Sequence, residues 1–146
     1  MRQTTKILEP ELQAIDLAFK AGLRRLAVAS DRSSRAVHAY AGTPPNATLF
    51  ATRRAAAARA LAAERREVLA LRGRIKALDA TGDSAKLVKQ RLLDGLLLMA
   101  RSLELHQRAL PAPQQQALSL LARSQRLRVS SLIPFATAAK VVTSQR

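Results

Sequence analysis

The sequence predicts an all-α protein, and three observations lead there. Leucine and alanine supply the apolar content while aromatics make up only 3%, and both favour helix over strand. Apolar residues recur at steps of three and four along several long segments. The 5 glycines and 6 prolines are too few for the many turns of a β-sandwich. The expected architecture is an antiparallel helical hairpin, residues 49–78 and 84–110, with further N- and C-terminal helices, as a small bundle or an extended helical subunit. A chain of 146 residues supports one core.

The first helix is expected from Glu9 to Ala29, with residues 1–30 forming an N-terminal amphipathic unit. Pro10 suits the first helical position, where no amide hydrogen is needed, and Glu9 and Glu11 face the positive end of the helix dipole. Leu8, Leu12, Ile15, Phe19, Leu23 and Leu26 form one stripe, and Asp16 and Lys20 form an acid-first pair four residues apart. Residues 31–48 read as a connecting arm: a Ser-Asp-Arg-Ser-Ser-Arg run, then Gly-Thr-Pro-Pro-Asn, where Pro44-Pro45 stops any helix.

The second helix, Leu49 to Leu78, carries heptads. Phe50, Ala57, Leu71 and Leu78 occupy one core position and Leu61, Val68 and Ile75 the other, with Arg54 and Glu64 interrupting the seam. The pattern fits a short coiled coil or an ordinary bundle seam. Ala80 to Ser84 is a turn in which Gly82 suits a left-handed helix stop and Asp83 or Ser84 a cap. So short a connection implies an antiparallel neighbour.

The third helix, Ser84 to Leu110, is apolar nearly all round between Leu92 and Met99, so it is expected to be surrounded. Its surroundings are either its own bundle or a second molecule, with Leu61, Val68, Leu71, Ile75, Leu92, Leu96 and Met99 as the residues that would pack on a partner. Pro111 and Pro113 break the chain. A fourth helix follows to about Leu132 and completes a unit of residues 49–133; Pro134 ends or kinks it, and residues 134–146 read as a tail.

No catalytic constellation stands out. His38 and His106 lie far apart with no partner at metal spacing, no paired carboxylates or phosphate-binding loop appear, and cysteine is absent, which excludes disulfides and thiolate-bound metals. The expectation is a non-enzyme with no cofactor and no small-molecule substrate. The longest uninterrupted apolar run, Leu96 to Ala100, is far shorter than a membrane span. Lys6 is soon followed by Glu9, Pro10 and Glu11, unlike a secretory signal, so an intracellular location is expected.

Charge is the informative feature. With 25 basic and 10 acidic side chains the net charge is +15, which attracts any polyanion. Two stretches contain no acid: residues 32–63, with Arg32, Arg35, Arg53, Arg54 and Arg59, and residues 105–146, with Arg108, Arg123, Arg126, Arg128, Lys140 and Arg146. Arg53, Arg54, Arg59, Arg123, Arg126 and Arg128 are the candidate polyanion contacts, since the guanidinium fork matches phosphate. The expected function is a non-catalytic accessory or structural subunit of a large assembly. That assembly is either a ribonucleoprotein such as an organellar ribosome, with the mitochondrion as candidate compartment, or an energy-transducing membrane complex. Its expected partners are other subunits, with RNA or anionic lipid as the polyanion. The alternatives are a free-standing nucleic-acid-binding dimer and a helical-hairpin adaptor or secretion chaperone.

Overall fold

The computed structural model describes residues 8–145, and these form four helices with no strand among them: α1 Pro10–Ala41, α2 Phe50–Lys76, α3 Asp83–Ala109 and α4 Gln114–Ser144. Lys6 and Arg146, named above, lie outside the described residues. The helices run up, down, up and down. α2 and α3 make the expected hairpin, and α3 is the hub: it packs on α4 and α2 along its length and touches α1. α1 packs on α2.

Two expected boundaries move. The segment read as an arm continues α1 to Ala41. Its polar run holds helix with its side chains engaged: Asp31 pairs with Arg35 at 2.9 Å, and the Ser33 hydroxyl, shared with Glu64 on α2, lies 3.0 Å from the Ser30 carbonyl. Val37 and Tyr40 then pack on the core, and such burial outweighs the few tenths of a kcal/mol that serine costs a helix (about 0.5 per residue). The real arm is short and begins at Gly42, where Thr43, Pro44 and Pro45 turn the chain.

The segment read as a tail continues α4 straight through Pro134 to Ser144. Proline forfeits one helical bond, to the carbonyl of Ser130, but Ser130 is exposed and water can take its place. Ser131, Ala138 and Val142 are buried on the inner side of the helix, so packing carries the helix past the defect. Gly82 takes no left-handed conformation either. Its φ of −74° and ψ of 152° make it the N-cap of α3, while α2 stops at Lys76. Lys89 Nζ donates to the Leu78 carbonyl at 2.6 Å just past that end. From the first turn of α1, Glu11 also clamps this turn, accepting from the Thr81 amide at 2.6 Å and the Thr81 hydroxyl at 2.7 Å. Those hydrogen bonds hold its carboxyl below the usual carboxylate range.

The residues expected to pack on a partner pack on the chain itself. Leu61, Val68, Leu71, Ile75, Leu92 and Leu96 are buried in one core, and Met99 lies half-buried against it. α4 is what covers α3, so the apolar girth of Leu92 to Met99 is explained by a central position in its own bundle. Small residues make the two tightest joints. An alanine Cβ at Gly22 would lie 2.3 Å from Leu71 Cδ1, and one at Gly95 would lie 2.5 Å from the Phe135 ring. Ser102 and Ser124 bond reciprocally, each hydroxyl donating to the other's carbonyl at 2.8 and 2.7 Å, which pins the register of α3 on α4.

Gly22→Ala separates helix propensity from packing. Alanine favours the helix by about 1 kcal/mol, but overpacking against fully buried Leu71 costs about 1–3 kcal/mol. Urea denaturation is expected to show a net loss of stability. In a Leu71→Ala background the same change is expected to stabilise, because only the propensity gain remains.

Candidate functional site

Three surfaces of the bundle carry chemistry. The first lies between α1 and α2 on the outer side. Arg25 and Arg32, seven residues apart, share one face of α1, and Arg66 and Arg74 lie on the facing side of α2. They wall two shallow hollows that meet at Arg25 and are floored by Ala18, Gly22, Ala29, Ala60 and Ala63. The small floor keeps the hollow open between the long guanidinium stems. Glu67 is the one acid lining it. The ion pairs found among the described residues engage Lys20, Arg35, Arg65, Arg91 and Arg128, and leave these four arginines outside.

The second is a polar knot inside the bundle. Glu64 on α2 is 2% exposed, yet it carries a carboxylate. The Ser33 hydroxyl on α1 bonds it, and Arg128 on α4 approaches it at 3.9 Å. His106 on α3 lines the same hollow as Ser33 and Arg128. Each helix thus contributes one polar side chain. Burial first, and the Arg128 charge second, hold the His106 imidazole below its ordinary value of 6.5.

The third is a cleft between α1 and α4. These helices diverge, with a Phe19–Phe135 ring contact at 5.5 Å near the lower end. Below, the cleft is lined by Leu23, Leu92, Phe135, Ala139 and Val142; above, by Tyr40, Phe50, Leu110 and Leu121.

The structure disperses the six arginines singled out from the sequence. Arg53 donates to Thr43 Oγ1 at 2.7 Å and braces the α1–α2 turn. Arg54 sits over the Phe50 ring, 5.7 Å from its centre. Arg59 is exposed on α2, seven residues before Arg66. Arg123 and Arg126 are exposed on α4, and Arg128 turns to Glu64. Acid-free stretches are a one-dimensional signal, and they passed over Arg25, Arg66 and Arg74, which have acids nearby in sequence, of which Glu67 lines the hollow. The seven-residue spacings Arg25–Arg32 and Arg59–Arg66 were the available clue.

Among the described residues no group of three or more metal-ligating side chains gathers, and no helix is long and apolar enough to cross a membrane. No protein-family model, curated protein or solved structure matches this chain.

Two outcomes test the knot. Ser33→Ala is expected to cost about 1–3 kcal/mol, because it strips a hydrogen bond from a buried carboxylate; matched urea curves for Ser33→Ala and the exposed control Ser34→Ala measure it. His106 binds a proton more readily when unfolded than when folded. Its stabilising share is therefore complete above the unfolded value of 6.5 and is lost as pH falls below it. Between pH 7.5 and 5.5 (values near that midpoint, roughly one unit to either side), wild type is expected to lose stability more steeply than His106→Asn.

Proposed function

We propose that this protein is a non-catalytic, basic helical subunit that docks on a polyanion as part of a larger assembly, and that the α1–α2 arginine hollow is its docking surface. The observation that carries this reading is the convergence of Arg25, Arg32, Arg66 and Arg74, from two helices, around a floor of small residues. Free guanidinium forks with an open floor suit phosphate oxygens approaching in a row. The net charge of +15 favours the same encounter at long range. RNA is the preferred polyanion, because its backbone presents phosphates in such a row.

The absence of an acid–base or nucleophilic constellation in the sequence supports a non-catalytic role, and the polar knot fits a structural part. Its serine hydroxyl is engaged by a buried carboxylate. The dimeric alternative is the weaker reading, because the heptad residues that would have paired two copies are occupied within one chain.

Binding to a structured RNA duplex, titrated by fluorescence anisotropy across salt, tests the assignment. Four phosphate contacts predict a fall in affinity of about a hundredfold between roughly 50 and 200 mM salt. Replacing Arg25, Arg32 and Arg66 with alanine is expected to flatten the salt slope by about one unit per residue. Arg123→Ala with Arg126→Ala is expected to change it far less. An equal loss from the α4 pair would move the docking surface to α4.

A further inference from the structure

The cleft between α1 and α4 is unused by the docking surface just described, and it lies on another side of α1. α1 presents Asp16, Phe19, Lys20, Leu23, Ser34 and His38 to it. These recur at helical steps, so one edge of the helix faces the cleft for most of its length. α4 does the same. Leu121, Arg128, Phe135 and Ala139 line it, and Leu132, eleven residues after Leu121 and seven before Ala139, stands on the same edge. From the level of Asp16 to that of Ala41, about 35 Å along α1, three hollows follow one another on this side, a span that a further helix of about 20–25 residues matches.

α4 is apolar on two sides. Its inner side is spent on α3. Its outer side shows Leu118, Val129, Leu132 and Ile133 at 59%, 54%, 61% and 71% exposure, continuous with the cleft edge. A helix with one apolar side packed and a second left in water is built for a second neighbour.

Charge selects the neighbour. α4 contains no acid, and Arg123, Arg126 and Lys140 flank its outer stripe. On α1 the two acids nearest the cleft are neutralised, Asp16 by Lys20 at 2.8 Å and Asp31 by Arg35 at 2.9 Å. Midway along, the carboxylate of Glu64 is buried behind Arg128. The cleft is thus apolar towards its two ends and polar at its middle, where Ser34, His38 and Arg128 line it, and its α4 edge is positive. A second copy of this chain suits it badly, since each copy carries +15 and would bring an acid-free α4 to an acid-free α4.

We infer that the α1–α4 cleft binds an amphipathic helix of a partner protein, apolar on the side it buries and acidic along the flank that faces α4. The helix seats its apolar side on Leu23, Phe135, Leu132 and Leu121, and its acids meet Arg126 and Lys140. It completes the side of the bundle that α1 and α4 leave open. The inference goes beyond RNA docking and does not depend on it, because the two surfaces share no arginine.

The probe is a labelled Leu/Glu peptide of three heptads, about 21 residues, with a scrambled peptide of the same composition as control. Wild-type protein is expected to bind the amphipathic peptide at one to one and at least about tenfold more tightly than the scrambled one. Leu23→Glu with Leu132→Glu, at positions 41% and 61% exposed, is expected to weaken it at least about tenfold while circular dichroism stays unchanged. Arg25→Ala with Arg32→Ala is expected to leave it within about twofold. Because the chain contains no cysteine, an Ala139→Cys variant carrying a dansyl group reads occupancy directly, so the idea remains testable even where the double variant unfolds. A blue shift on peptide addition is the supporting result, and no shift overturns the inference. It is also overturned by equal binding of the scrambled peptide. A dimer in sedimentation equilibrium that Leu132→Glu dissolves would assign the cleft to a second copy. Tighter, Leu132-dependent binding to phosphatidylserine vesicles would assign it to a lipid surface.

Discussion

The close approach of α3 and α4 is the constraint on which the rest of the molecule depends. Gly95 on α3 makes room for the Phe135 ring, and Ser102 and Ser124 exchange hydrogen bonds across the joint. Nothing larger fits there, so the pairing is fixed in register as well as in distance. The result is that α4 follows α3 for its whole length and diverges from α1. A symmetric four-helix bundle would close α4 on α1 as well. Here the seam is left ajar, and among the described residues no helix covers the outer leucines of α4.

The same joint explains how much could be read from the sequence. The hairpin of α2 and α3 was legible because its apolar residues repeat strictly: Leu61, Val68 and Ile75 at sevens, with Leu71 between. Such spacing depends on helix geometry alone. The ends of α1 and α4 were not legible, because they are decided by tertiary contact. Ser33 looks like a breaker until Glu64 is opposite it, and Pro134 looks like a stop until Ser131, Ala138 and Val142 are buried on either side. In both cases a local preference of a few tenths to about 3 kcal/mol yields to packing that the sequence does not display. The arginine hollow failed to emerge for a related reason. Arg25 and Arg66 come from helices far apart in sequence, and no scan of one stretch juxtaposes them.

Charge in this protein is therefore sorted by face more than by segment. α1 illustrates it. Its α2-facing side carries Arg25 and Arg32, while its cleft-facing side carries Asp16 paired with Lys20. A single helix thereby separates an arginine surface from an apolar one. Exposed pairs such as Asp16–Lys20 and Asp31–Arg35 contribute little to stability, on the order of 0.3–0.5 kcal/mol. Their larger effect is to cancel the acids of α1, which leaves its remaining cations as the field an approaching partner meets.

Glu64 makes sense within that arrangement. A buried carboxylate rarely stabilises a fold compared with a well-packed apolar residue, because desolvation consumes most of the Coulomb gain. Leucine at this heptad position would continue the seam of Ala57 and Leu71. What leucine could not do is hold Arg128. With Glu64 in place, a guanidinium that would otherwise extend into water from α4 is drawn inward, and together with the Phe19–Phe135 contact it spans the gap between α4 and the first two helices. The two contacts lie on separate turns of α4, one polar and one aromatic, and both tie it to the first two helices. The interrupted heptad is thus the local cost of a polar tie between α4 and the first two helices.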